Sequence, residues 1–274
     1  MDVTTCFARD LFKGRTVFVT GGGSGINLGI ARNFAALGAG IGICGRTREK
    51  LEAAEAELRA LGAAVVAGVA DVRDYAALEA VFTRTKDELG PIDVLVAGAA
   101  GNFLCPAENL SANGFKTVID IDLLGSFNAA RAAFEQLRAT RGCILFISAG
   151  QAFTPYAFQL HVASAKAGID MMMRNLALEW GRYGIRVNSI APGPIEGTEG
   201  MKRLASPAAL EQIRQAVPLG RLGTVDDIGQ LAVFLASPLA SFVTGTLVVA
   251  DGGQNLPGSA LFNMGAAQML KATR

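Results

Sequence analysis

The run Thr20-Gly21-Gly22-Gly23-Ser24-Gly25 follows directly on the β-branched and aromatic stretch Thr16-Val17-Phe18-Val19. An apolar pattern of helical spacing (Ile26, Ile30, Ala31, Phe34, Leu37) begins where the glycines end. Strand, glycine turn and helix in that order bring backbone N–H groups and a helix N-terminus against a pyrophosphate, because the helix dipole favours negative charge. Glycine is needed there, since a Cβ would block the turn or the approach of the phosphates. A glycine-rich run alone is a weak signal, and its setting between a buried strand and an amphipathic helix is what makes it specific. A flexible linker would not carry apolar periodicity on both flanks.

Strands and helices alternate from there to the end of the chain. Buried-strand runs at 40–44, 64–69, 94–97, 143–147, 185–190 and 246–250 join the first strand to make seven. Helical patterns separate them: Leu51, Ala54, Leu58 and Leu61; then Phe115, Val118, Ile119 and Asp122; then a stretch from about 163 to 180. Apolar strands between helices predict an α/β fold of the Rossmann type, a doubly wound seven-stranded parallel sheet with helices on both faces. No Pro/Ser-rich linker, composition shift or fixed-period repeat divides the 274 residues. One domain over 1–274 is expected, with a cofactor half at about 12–150 and substrate-side loops and a lid at about 151–274.

Local punctuation agrees with this layout. Gly62 is placed to stop a helix in the left-handed conformation, and Ser111 to cap the next long one. Pro192-Gly193-Pro194 forces an extended exit from the sixth strand. The glycine-bearing stretch 195–206 then lies at a strand's carboxyl end, where open α/β sheets bind ligands, and is read as a lid over the substrate.

Composition excludes several classes of function. A net charge of +1 offers no electrostatic case for nucleic acid or an acidic membrane surface. No apolar stretch is long enough to span a bilayer, and the N-terminal residues Asp2, Arg9, Asp10 and Lys13 form no signal-peptide core. Cys6, Cys44, Cys105 and Cys143 lack paired spacing, and His161 is the single histidine, so reduced thiols are expected rather than disulfides or a metal site. The final Lys271-Ala272-Thr273-Arg274 is no peroxisomal address, and a cytoplasmic location is expected.

From about Leu11 to Gly253 the chain resembles the short-chain dehydrogenase/reductase family. Thr20-Gly21-Gly22-Gly23-Ser24-Gly25-Ile26 looks like its cofactor loop, and Ala70-Asp71-Val72 like the turn that contacts adenine. The run from Ile185 to Gly193 resembles its sixth strand and nicotinamide-side loop. Ser241-Phe242-Val243-Thr244-Gly245 and Asp251-Gly252-Gly253 resemble its last strand and the adjoining subunit contact. The resemblance implies a cofactor site built from Gly21, Gly23, Ser24, Gly25, Ile26, Asp71, Val72, Ala99, Lys166, Pro192, Gly193 and Ile195, and a homotetramer. At the end of the second strand stands Gly45-Arg46-Thr47, with no acid to receive a ribose 2′-OH. Arg46 can pair a 2′-phosphate in a bidentate way, with Thr47 and Arg48 adding donors, so NADP(H) is the expected cofactor.

Within that family three stretches are similar to the 2,4-dienoyl-CoA reductases of the peroxisomal type: 99–106, 115–122 and 191–200. Departures from the wider family point the same way. Most members carry a Tyr four residues before the active-site Lys, where a phenol of lowered pKa protonates an alkoxide. Here Lys166 has Val162 at that position, and the usual hydroxyl further back falls on Ala149, beside Ser148. Tyr156 matches no family position and is read as a wall residue; Ser164 is read as packing.

Reduction of a conjugated dienoyl thioester has less need of a strong acid. Its charge spreads onto the thioester oxygen as a dienolate, which asks for hydrogen-bond donors first. The resemblance implies Asn102 as that donor, Asp122 and Lys166 as the holders of a water that protonates carbon, and an acyl-CoA as substrate. Lys202 and Arg203 are candidates for the CoA phosphates; Leu261, Phe262, Met264 and Met269 for covering an acyl channel or packing on a neighbouring subunit. Two other readings stay open at this point. One is a short-chain dehydrogenase acting on another carbonyl or alcohol with an atypical donor such as His161, otherwise a satisfied pocket histidine. The other is a non-catalytic NADP(H)-binding relative. Asn27 replaces the third glycine of the cofactor loop, where it either pushes the helix outward or donates to phosphate.

Overall fold

Residues of the first strand, β1 (Thr16–Thr20), are buried without exception, and their side chains alternate between two separate cores. Val17 and Val19 pack with Ile30, Phe34, Leu51 and Ile228 on one side, while Phe18 packs with Leu78, Phe82 and Ala129 on the other. A strand apolar on both faces must be covered on both, and the remaining elements do this. The computed structural model describes residues 2–204, 206–256 and 258–272. In it β2 (Gly40–Gly45), β3 (Val65–Val69), β4 (Ile92–Ala97), β5 (Cys143–Ile147), β6 (Arg186–Pro192) and β7 (Leu247–Ala250) join β1 in one parallel sheet. The strand order is β3-β2-β1-β4-β5-β6-β7, the doubly wound arrangement expected from the sequence.

The chain steps outward from β1 to β3 and then returns to lay β4 beside β1, so the order reverses between these two strands. Connections leave in opposite directions there and open a crevice at the carboxyl ends. Thr20 closes its floor: its Oγ1 accepts from the N–H groups of Gly98 at 3.1 Å and Ala99 at 3.3 Å, tying the end of β1 to the exit of β4.

Helices α1 (Gly25–Ala36), α2 (Arg48–Ala60) and α3 (Tyr75–Leu89) follow the first three strands. Gly62 has φ +87° after α2, as its stop position requires, and Ser111 accepts from Gly114 N–H at 3.0 Å as the cap of α4 (Ala112–Val118). The pattern read as one helix over 115–122 is interrupted. A six-residue π-helical segment, Ile119–Leu124, separates α4 from α5 (Gly125–Thr140), and such segments recur where a side chain has to be re-aimed. Asp122 lies within it.

Helix α6 (Leu160–Trp180) begins earlier than its apolar periodicity suggested. The stretch read as a lid loop contains a short helix, α7 (Glu199–Leu204), followed by α8 (Pro207–Ala216); α9 (Val225–Ala236) and α10 (Ala260–Ala272) complete the chain. No disulfide joins any of the four cysteines, and burial pushes the Cys44 and Cys143 thiols up to about 12 and about 11, so both are inert core residues. Among the described residues no helix is long and apolar enough to cross a membrane.

Asn27 spends its amino group on backbone carbonyls. Its Nδ2 donates to Gly98 O at 2.8 Å and to Gly21 O at 3.4 Å, linking the glycine loop to the exit of β4. Gly98 makes the room, since a Cβ there would lie 2.1 Å from Asn27 Oδ1. The two residues are complementary in size, and the test is a double-mutant cycle followed by thermal unfolding. Overpacking in Gly98→Ala is expected to cost about 1–3 kcal/mol, a midpoint drop of roughly 2–4 °C per kcal/mol. Adding Asn27→Gly should return at least about 1 kcal/mol of that loss. Strictly additive effects would mean that the pair is not coupled.

Candidate active site

The carboxyl ends of β1, β2, β4, β5 and β6 open into a cleft of about 690 Å³, within the roughly 300–1,000 Å³ usual for a small-molecule site. Every residue expected from the sequence to hold the cofactor lines it, as does Asn102. At one end Ser24 caps α1 with an extended backbone but makes no side-chain bond to the first-turn N–H groups. Gly25 has φ +59°, and an added Cβ there would meet no atom within 4 Å. The helix N-terminus therefore faces open cleft with its donors unspent, a cradle suited to phosphate.

Beside it, Arg46, Thr47 and Lys50 line the wall beyond β2; Arg48 does not. Lys50, not singled out from the sequence, comes from the first turn of α2 on the same side as Arg46. Asp71 is bound by Arg73 at 2.6 Å, and that bond holds its carboxyl below the usual carboxylate range against the opposing effect of burial.

Deeper in the cleft lies Lys166, only 6% exposed. Its ammonium donates to Ile147 O at 2.9 Å and forms an ion pair with Asp122 Oδ2 at 3.2 Å. Asp122 is wholly buried and does not reach the cleft wall; its Oδ1 accepts from Gly101 N–H at 2.7 Å. The carboxylate thus stands behind Lys166 as seen from the cleft. The i+4 neighbour Asp170 instead accepts from Ser148 Oγ at 2.9 Å, and burial raises its pKa.

Asn102, next to Gly101, accepts at Oδ1 from Gln159 Nε2 at 3.2 Å, which leaves its amino group to the cleft. Gln159 in turn accepts at Oε1 from Gln151 Nε2 at 2.7 Å. Gln159 was missed in the sequence although it stands seven residues before Lys166, two turns back on one face of α6; the family comparison directs attention to position 162 alone.

Val162 is buried in a small cluster with Val118 and Ala165, away from the cleft. Tyr156 does line it, as expected of a wall residue, and donates to Asn255 Oδ1 at 3.2 Å. Burial, reinforced by Asp251, raises its phenol pKa, the opposite of what an acid needs. His161 is neither a cleft acid nor satisfied. It is fully buried, both ring nitrogens lack partners, and it stacks on Phe103 with centroids 4.2 Å apart. Ser164 bonds back to Leu160 O at 2.8 Å, consistent with packing.

The opposite end of the cleft is apolar, walled by Leu104, Ala157, Pro194, Met201 and Ile213. Of these Met201 belongs to α7 and Ile213 to α8, so the stretch expected as a lid does border the cleft. The side chains of Lys202, Arg203, Leu261 and Met264 lie outside the described residues. Phe262 and Met269 on α10 are exposed, and no described side chain of that helix lines the cleft.

A family model described as enoyl-(acyl carrier protein) reductase matches residues 21–255. The peroxisomal 2,4-dienoyl-CoA reductase [(3E)-enoyl-CoA-producing] of Saccharomyces cerevisiae is 46% identical over 248 residues, covering 89% of this chain and 85% of its own. A probable 2,4-dienoyl-CoA reductase [(2E)-enoyl-CoA-producing] of Bacillus subtilis is 41% identical over 244 residues, covering 88% and 96%. A gluconate 5-dehydrogenase from Burkholderia cenocepacia, solved in complex with NADP and tartrate, superposes with a TM-score of 0.83 at 30% identity, covering 90% of this chain and 97% of its own. Fold, cleft and relatives agree: the chain belongs to the short-chain dehydrogenase/reductase family of oxidoreductases.

Proposed function

We propose that the chain is an NADPH-dependent 2,4-dienoyl-CoA reductase. The observation that carries this reading is a cleft in which hydrogen-bond donors, Asn102 and Lys166, surround the reacting end while the acid position holds a buried valine. Such a site suits a reaction whose charge must first be held and only then protonated. When bound, the nicotinamide cofactor supplies the hydride. The uncapped start of α1, the open space at Gly25 and the cations Arg46 and Lys50 fit its phosphates, the 2′-phosphate included.

Asn102 donates from its amino group to the thioester oxygen as negative charge gathers there. Lys166, gripped from behind by the Asp122 charge and by Ile147 O, keeps N–H donors for the cleft. It binds the ribose hydroxyls on the nicotinamide side and polarises the water that delivers a proton to carbon. The apolar end takes the acyl chain. The dienoyl-CoA reductase names of the relatives support this substrate class, and the NADP complex of a structural neighbour supports the cofactor. Exposed apolar side chains such as Leu178, Leu239 and Phe242 support a homotetramer. Cysteines outside disulfides are compatible with a cytoplasmic location, although several relatives are named peroxisomal.

The first test is oxidation of NADPH, followed at its own absorbance, with trans-2,trans-4-dienoyl-CoAs beside 3-ketoacyl-CoAs and simple ketones. Turnover is expected on the dienoyl-CoAs alone, with Lys166→Ala inactive and Asn102→Ala slowed by about 10²–10³ in kcat. Activity confined to a ketone would overturn the reading; cofactor binding without any turnover would identify a sensor. Arg46→Ala together with Lys50→Ala should raise the NADPH KM by tenfold or more and leave that for NADH nearly unchanged, on the basis that each charged bond contributes roughly 1.5–3 kcal/mol. Asp122→Asn keeps the acceptor for Gly101 but strips Lys166 of its counter-charge. A loss of about 1.5–3 kcal/mol in unfolding stability is expected, together with a lower kcat; unchanged stability would argue that the pair is not a real constraint.

A further inference from the structure

We infer that Gln159 is a positioning residue that sets which end of the Asn102 amide faces the substrate; the inference rests on the proposed role of Asn102 as donor to the thioester oxygen. An Asn side chain has a donor end and an acceptor end of nearly identical shape, and only its partners decide which way it points. At a developing negative charge the two ends have opposite effects, because the amino group stabilises the oxygen and the carbonyl repels it. A site that relies on Asn therefore needs something to fix its polarity.

Three of the amides that line this cleft are strung in one direction. Gln151 Nε2 donates to Gln159 Oε1 at 2.7 Å, and Gln159 Nε2 donates to Asn102 Oδ1 at 3.2 Å. Each amide is an acceptor toward the previous member and a donor toward the next, so the donor end of Asn102 is the one left over. Gln159 is only 3% exposed and sits at the entry to α6.

The backbone holds it there at a cost. Phe158, immediately before it, is in the left-handed region at φ +68°, a conformation that a bulky residue avoids unless its surroundings impose it. The Phe158 carbonyl accepts from Cys105 N–H at 2.9 Å, so the segment carrying Asn102 and the segment carrying Gln159 are clamped together by main chain as well as by side chain. Among the described residues Phe158 and Arg141 alone combine a non-glycine side chain with positive φ, and Arg141 merely ends α5.

The arrangement makes a prediction about sign that simple packing does not. Q159E replaces the donor with a second acceptor of the same shape. It can still accept from Gln151, but it now draws the Asn102 amino group toward itself and turns the carbonyl to the substrate. Q159M has the same length and neither donates nor accepts. With dienoyl-CoA as substrate, Q159E should lower kcat by roughly ten- to a hundredfold, short of the 10²–10³ expected for losing a donor outright. Q159M should lower it less than Q159E, because a free amide still samples the productive orientation.

NADPH dissociation constants, read by fluorescence quenching, should stay near that of the unmodified protein in both variants, whereas Q159E should also lower the thermal midpoint because its buried carboxylate meets no cation. In an Asn102→Ala background neither change at 159 should affect kcat further. A Q159M at least as slow as Q159E, or a Q159E effect that persists without Asn102, would overturn the inference and reduce Gln159 to a packing role. An Asn102→Ala enzyme with undiminished kcat would instead overturn the role of Asn102 itself, so the two failures are distinguishable.

Discussion

The carboxylate of Asp122 is the constraint on which the site depends. It has no solvent exposure, yet it touches three parts of the fold: it sits in the π-helical segment before α5, accepts from the Gly101 N–H beyond β4, and pairs with Lys166 on α6. A charge so placed is tolerated only because a cation and a backbone donor meet both oxygens. The same two contacts set the two functional walls. Gly101 is followed directly by Asn102, and Lys166 is held at the cleft by the ion pair and by Ile147 O. The π-helical segment follows from this demand, since it changes the helical register between α4 and α5 in the stretch that holds Asp122.

Around that pair the cleft divides its work by chemistry. One end, where α1 begins and Arg46 and Lys50 stand, offers uncapped N–H groups and positive charge. The far end, with Leu104, Met201 and Ile213, offers apolar surface. Between them stand Asn102 and Lys166, donors held in place by protein partners; on the proposed reading this arrangement stabilises charge without reorganising. The buried Val162 and the raised phenol of Tyr156 fit the same picture, because neither is prepared to deliver a proton. His161, fully buried and unpartnered against Phe103, adds no acid from the third direction.

The seven strands, their parallel doubly wound class and the glycine-rich turn were legible in the sequence because they rest on short-range patterns. Apolar runs mark strands, period 3.6 marks helices, and glycines mark a turn where a Cβ has no room. Arg46 is read from the end of the second strand, whereas Lys166, Asn102 and Asp122 come from the family resemblance; Arg46, Lys166 and Asn102 line the cleft. For Asp122 the resemblance implies a water held together with Lys166, and for Asn27 two roles are open, pushing α1 outward or donating to phosphate. In the fold each side chain meets a partner distant in sequence: Lys166 for the first, Gly98 for the second. Periodicity reports that a position is buried, not what it meets there.

What the sequence determined by itself, then, is the order of elements and the chemical inventory at their ends: glycines for phosphate, an arginine after β2, a lysine without its usual tyrosine. What only the tertiary structure decided is polarity and direction. Gln151, Gln159 and Asn102 are three ordinary amides in the sequence, and nothing in their spacing says which end of each faces the cleft. That was settled by hydrogen bonds between residues 8 and 57 positions apart, made possible because β4 and β5 lie side by side in the sheet and α6 crosses behind them. Side-chain identity is local information, whereas the orientation of an amide depends on partners that come together only when the chain has folded.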